Sequence, residues 1–180
     1  VTNQDLTQYM DTSDEWIQTR TGIAQRRVLT GDENLRSLGI KAAKQALENA
    51  GVSAEDIDMV ICATSSPDDI FGDGTAIAAA LGCTTSTVAF DLTAACSGFL
   101  FASATASQFL SVPGTRMKNI LVIGADALSR WIDWDDRNVC ILFGDGAGAM
   151  VLTNEGDEAP GMLGFSAHSN GNGYPDLNCL

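Results

Sequence analysis

The run Ile57-Asp58-Met59-Val60-Ile61-Cys62-Ala63-Thr64 constrains this chain more than any other stretch. It is apolar almost throughout, short, and bounded by polar residues. A strand with no polar face must be covered on both sides, the usual position of a strand inside a layered parallel sheet. The flanking sequence supplies the covering layers. Over 34–50, Leu35, Leu38, Ala42, Ala46 and Leu47 recur at helical spacing, and Gly51 fits a C-terminal stop. Next come a small-residue helix at 75–81, a strand at 87–92, a helix from Cys96 to about 111, a Pro-Gly-Thr turn at Pro113 and a strand at 119–125. Further strands are expected at 138–143, 149–153 and 162–166. Such alternation predicts an α/β layered fold with a mostly parallel sheet. Near the start, Thr12 and Glu15 have capping-box spacing, so a short helix is expected over 11–18, with Trp16 and Arg20 four residues apart on one face.

The 180 residues suffice for one sizeable core, and 23 acidic against 10 basic residues give a net charge of −13. That charge opposes non-specific binding to nucleic acid and to anionic membranes. No apolar run approaches the roughly 18 residues a membrane span needs. The opening VTNQDLTQYM lacks the basic-then-apolar order of a secretory signal. Five cysteines, at 62, 83, 96, 140 and 179, show no Cys-x-x-Cys spacing and lie mostly in apolar segments, which suits a reducing compartment better than a disulfide framework or zinc site. Both ends read as cut, with the strands expected at 149–153 and 162–166 still awaiting partners, so the chain is expected to be part of a longer protein.

Chemistry centres on Thr93-Ala94-Ala95-Cys96-Ser97-Gly98-Phe99. If a strand ends at Leu92 and a helix opens at Cys96, the thiol sits where α/β proteins place their ligands. The helix's positive end and free N–H groups would favour negative charge on the sulfur, and the small neighbours leave room for a substrate. The apolar helix that follows is expected to be buried and to hold the sulfur rigidly. Spacing alone favours a packed cysteine, the reading that also suits Cys62 and Cys140 inside their apolar runs. The glycine-rich 144–149, GDGAGA, lacks the Lys-Ser/Thr of a phosphate loop and is read as a tight turn with close strand packing. His168, the only histidine, lies in a Gly/Asn/Ser-rich segment read as a surface loop. Arg20, Arg26, Arg27 and Arg36 cluster in sequence, either as a dock for a phosphate-bearing or acidic partner or as solvated residues paired with Asp14, Glu15, Asp32 and Glu33. Arg137, within WIDWDDR, faces the same choice beside Asp135 and Asp136.

Four motifs in order, TSDEWIQTRTGI at 12–23, AFDLTAACSGF at 89–99, VIGADALSRWIDWDDR at 122–137 and LFGDGAGAMVL at 142–152, resemble the β-ketoacyl-[acyl-carrier-protein] synthase III family, in wording close to cyanobacterial and plastid members. The resemblance implies a thiolase-like αβαβα fold of two similar halves, usually a homodimer, of which residues 1–180 would be the first half. It implies that Cys96 takes an acetyl group from acetyl-CoA, and that malonyl-acyl carrier protein then loses CO2 and attacks the thioester. Trp16 would stack on the CoA adenine with Arg137 on its other face, Arg20 would meet CoA phosphates, Thr12 the adenine edge, and Phe71 would line the partner subunit's acyl pocket. No metal or prosthetic group is implied, and the setting would be bacterial cytoplasm or plastid stroma. The family's HQAN-like and GNTSA-like motifs, which supply a histidine and an asparagine for condensation, are not among these residues, so this segment alone is not expected to complete the reaction. Two other readings stand beside this one: a CoA-dependent acyltransferase of a specialised pathway in the same superfamily, and a non-catalytic dimerisation or nucleotide-binding module.

Overall fold

A computed structural model describes residues 1–154 and 161–176. Its elements, in chain order, are α1 (Asn3–Leu6), α2 (Asp14–Thr21), α3 (Leu35–Ala50), β1 (Met59–Ala63), α4 (Gly74–Leu81), β2 (Val88–Leu92), α5 (Gly98–Ser111), β3 (Asn119–Ala127), α6 (Arg137–Cys140) and β4 (Asp145–Thr153). The four strands form one sheet in the order β2-β1-β3-β4. β1 runs parallel to both neighbours, with Ile61 opposite Phe90 on one side and Val122 on the other, and β4 is antiparallel to β3.

The continuous apolar run becomes the inner strand β1, buried at all five positions. Because successive side chains alternate, Val60 and Cys62 face α3 and α4 in one core with Leu35, Leu47, Ile77, Leu121 and Ile123. Met59, Ile61 and Ala63 face α5 in a second, with Ala102, Ala106, Ile120 and Val122. Each large side chain fully withdrawn from water contributes about 1.5–3 kcal/mol, so this two-sided burial is what holds the layers. A third cluster, Leu6, Ile17, Cys140 and Ile141 with Met10, Trp16, Ile132 and Trp134, fastens the first two helices to α6.

Local signals explain most element ends. Asn34 caps α3 by accepting from the Ser37 backbone N–H, while Ser37 Oγ accepts from the Asn34 N–H, and left-handed Gly51 stops the helix. Other expectations need correction. Ser13, not Thr12, caps α2 through the Trp16 N–H, so the helix starts later than the capping-box spacing predicted. The strand expected at 138–143 is instead the short helix α6 and a turn, because Asp136 caps the Asn138 N–H and draws Cys140 and Ile141 into the third cluster. Residues 162–166 are not a strand. The GDGAGA segment is not a tight turn: Asp145 to Ala149 form the first part of β4, and the reading of close packing holds at Gly144. A Cβ there would lie 2.9 Å from the Arg27 carbonyl oxygen.

The helix α5 is buried on one side only. Ala102 and Ala106 are fully enclosed, while Leu100 and Phe109 stay exposed, so the expectation of an enclosed helix is met on the sheet side alone. The arginine cluster also disperses in space: Arg26 is buried, and Arg36 pairs with Asp73 and Asp69, acids distant in sequence. Among the described residues, no helix is long and apolar enough to cross a membrane.

Candidate active site

Three loops leave the C-terminal ends of the parallel strands, and each carries residues singled out above. β1 leads into the loop bearing Phe71, β2 into Cys96, and β3 into the segment bearing Arg137. Ligands of open parallel sheets bind at this edge, because connections there diverge and helix N-termini point toward it.

After β2 the chain turns sharply. Thr93 Oγ1 donates to the Thr64 carbonyl at 2.9 Å, tying the turn to the end of β1. Ala95 then adopts φ +47°, left-handed and unfavourable for a residue with a Cβ, and Ala95–Ser97 form a single 3-10 turn before α5. That turn presents Cys96 to the outside, where the thiol is exposed. Below it, Gly124 of β3 admits the start of α5: a Cβ at that position would lie 3.0 Å from the Phe99 ring. The start of α5 thus packs closely on β3 beneath the exposed sulfur.

The other described cysteines sit in different surroundings. Cys62 and Cys140 are buried and Cys83 is partly so, while Cys179 lies outside the described residues. Burial pushes the Cys62 thiol up to about 12, with nearby Asp91, Asp73 and Asp126 adding to the effect. Burial likewise raises Cys83 and Cys140, and Cys140 Sγ donates to Met10 Sδ at 3.6 Å. Cys140 is thus a packed cysteine as read, though on a helix rather than a strand. Only the thiolate alkylates readily. Brief iodoacetamide treatment of the folded protein near neutral pH should therefore modify Cys96 at least about tenfold faster than Cys62 or Cys140. Peptide mass spectrometry reads the order, and equal labelling of all three would contradict this burial pattern.

The helix α2 and the segment around α6 bring three more residues together. The Arg20 guanidinium lies 4.3 Å from the Trp16 ring centroid and that of Arg137 lies 4.8 Å from it. Such cation–aromatic contacts contribute about 0.5–2 kcal/mol each, depending on exposure. Arg20 also donates to the Trp16 carbonyl at 3.2 Å, and Arg137 donates to the Asp11 carbonyl. Beside them, Thr12 Oγ1 is buried with no hydrogen-bond partner among the described residues. A flat ring inserted between Trp16 and Arg137 needs two contact layers, about 7–8 Å in all. At 4.8 Å the Arg137 side chain has to swing outward first.

The Phe71 loop is held from behind and open in front. Buried Asp73 accepts from Arg36 Nε and from the Asp68 N–H, while Asp91 accepts the Asp73 and Gly74 N–H groups at 2.8 and 2.6 Å. Burial opposes charge on Asp68, but bonds from the Arg36 N–H, the Arg130 guanidinium and the Leu35 N–H outweigh it and hold this carboxyl below its ordinary pKa. On the outer side Ile70 and Phe71 are 90% and 96% exposed. His168 is an exposed loop residue, as expected.

Sequence reasoning passed over Asp145, which is buried. Its carboxylate accepts the Leu29 N–H at 2.7 Å, the Ser129 N–H at 2.9 Å and Ser129 Oγ at 2.6 Å. An acid inside an otherwise small, apolar run was the available signal.

Residues 90–171 match the model of the 3-oxoacyl-[acyl-carrier-protein] synthase III family. The chain is 55% identical over 171 residues to β-ketoacyl-[acyl-carrier-protein] synthase III of Synechococcus sp. (strain WH7803), a match covering 95% of this chain and 49% of that protein. It is 51% identical over 178 residues to the chloroplastic protein of that name from Arabidopsis thaliana, covering 99% of this chain and 44% of the relative. The crystal structure of the synthase III from Thermus thermophilus superimposes with a TM-score of 0.90 at 39% identity, covering 99% of this chain and 54% of that one. The chain therefore spans about half the length of the relatives it matches.

Proposed function

Because the chain belongs to the β-ketoacyl-[acyl-carrier-protein] synthase III family, we propose that it carries the acyl-accepting half of that family's site and acts, within the full-length protein, as an acyltransferase that starts fatty-acid chains. The observation that carries this reading is the exposed Cys96 at a sheet edge, on a strained turn ahead of α5, while Cys62 and Cys140 are buried.

The Cys96 sulfur attacks the carbonyl carbon of acetyl-CoA, a sulfur–carbon bond forms, and CoA leaves with its thiol. Malonyl-acyl carrier protein then loses CO2. The electron pair freed from that carbon–carbon bond attacks the acetyl carbon, and the bond to Cys96 breaks, returning its sulfur. Removing a donor from the oxyanion of such a step typically costs several kcal/mol of barrier. The family's histidine and asparagine motifs fall outside these 180 residues, so condensation is assigned to the full-length protein and not to this segment. The CoA thioester is a substrate, and the reading calls for no metal or prosthetic group.

Trp16, Arg20 and Arg137 are the proposed nucleotide end of the CoA site. An indole and two guanidinium planes suit an adenine and its phosphates, and the unpartnered Thr12 hydroxyl suits a ring-edge contact. The proposed homodimer would use the exposed Phe71, reaching the partner's acyl pocket. The exposed side of α5 would meet the second half of the fold. The cyanobacterial and chloroplastic relatives suggest a bacterial cytoplasm or plastid stroma.

Incubation of the full-length protein with acetyl-CoA, followed by peptide mass spectrometry, tests the reading. Acetyl should appear on the Cys96 peptide, and Trp16→Ala should raise the acetyl-CoA concentration for half-labelling about tenfold. Acetyl on another residue, or none, would overturn it.

A further inference from the structure

Asn3 and Arg26 lie outside the site described above, yet both are buried, at 1% and 5% exposure. Arg26 has no carboxylate partner among the described residues. Its Nη2 donates to Asn3 Oδ1 at 2.9 Å and to the Ile141 carbonyl at 3.1 Å, while Nε and Nη1 are buried without partners. Burial pushes the Arg26 pKa down, only partly offset by nearby Cys140. Holding a guanidinium in such a place is unfavourable unless its geometry is needed.

The partners show what that geometry does. Ile141 is the C-terminal cap of α6, the four-residue helix that starts with Arg137. Asn3 reaches the other way. Its Nδ2 donates to Asp14 Oδ1 at 2.9 Å, in the first turn of α2, and to the Ile23 carbonyl at 2.6 Å, just beyond the end of α2. The two side chains thus form a buried bracket, clamped to both ends of the helix carrying Trp16 and Arg20 and to the end of the helix carrying Arg137. Both bonds leave one nitrogen, Nη2, at the far end of a long planar group, so a lysine ammonium on its shorter stem would reach the same two acceptors only in part.

We propose that Asn3 and Arg26 are positioning residues that fix the backbone separation of α2 and α6, so that opening the Trp16–Arg137 gap for a nucleotide moves only the Arg137 side chain. The inference rests on the reading of Trp16 and Arg137 as the nucleotide end of the site. Loosening the bracket lets α6 drift, and the nucleotide loses its second stacking face while the chemistry at Cys96 is untouched.

The test uses the full-length protein and two acyl donors, acetyl-CoA and S-acetylpantetheine, which lacks the nucleotide. Arg26→Met should raise the KM for acetyl-CoA about tenfold, leave kcat within about twofold, and leave both constants for S-acetylpantetheine unchanged. Arg26→Lys should give a rise of about threefold, and it carries the test alone if the methionine variant does not fold. In a Trp16→Ala background, Arg26→Met should add nothing to the KM for acetyl-CoA. Equal losses with both donors would mean general structural damage and overturn the proposal, as would an unchanged KM or an effect that persists without Trp16. If Trp16→Ala and Arg137→Ala themselves leave the KM for acetyl-CoA unchanged, the nucleotide reading fails and this inference with it. Failure of the bracket alone shows differently: the Trp16 variant is impaired and the Arg26 variants are not.

Discussion

Replacing Cys96 by serine should lower acetyl transfer by the full-length protein on the order of a thousandfold or more, because a neutral hydroxyl in the same place is a far weaker nucleophile than a thiolate. Within these 180 residues the thiol is exposed and joins none of the three buried clusters, so the fold of this chain should hardly respond to the substitution, with stability within about 0.5 kcal/mol of the parent. That separation of effects makes the variant informative. Rate assays with acetyl-CoA and a denaturation curve check both halves. Near-normal transfer would remove Cys96 from the mechanism, and a large loss of stability would show that the sulfur packs after all.

The largest effect on stability is expected at Asp145. Truncation to alanine leaves the part-buried N–H groups of Leu29 and Ser129 without their acceptor, at roughly 1–3 kcal/mol apiece. Asp145→Ala should therefore destabilise the protein by about 3 kcal/mol, which for a domain of this size lowers Tm by about 6–12 °C. Asp145→Asn keeps one oxygen acceptor and should lose about half as much. Calorimetry on the three proteins gives the ranking. Equal melting temperatures would mean that this carboxylate does not join the segment before α3 to the ends of β3 and β4. The result also bears on GDGAGA. Gly144 is required by the nearby Arg27 backbone and Asp145 by these N–H groups, whereas a Cβ at Gly146 or Gly148 would meet open space, so packing accounts for the first two residues of the motif.

How much was legible follows from the range of each signal. The elements that make up the layers, α3, β1, α4, β2 and β3, were visible because burial on one face or two writes itself into residue periodicity within a few positions. α6 was not. Asn138 to Phe143 has the apolar composition of a strand, and only Asp136 as a cap and contact with Leu6 and Ile17 make it helical. The site divides along the same line. Cys96 was picked out from its own neighbours, whereas the Trp16–Arg137 contact came only from resemblance, since 120 intervening residues hide it from any local rule.

By itself, then, the sequence determined the layered α/β class, the position of β1 within the sheet, and Cys96 at a strand-to-helix junction, since each follows from propensity and burial over a short window. Tertiary structure alone decided what each of these arginines meets. Arg26 is interred against Asn3 and Ile141, Arg36 is held by Asp73, and Arg20 and Arg137 lie over Trp16. A charged side chain has little local preference of its own. Its role is set by whichever acceptors, rings and water the folded chain brings to it, and those come from residues far away along the sequence.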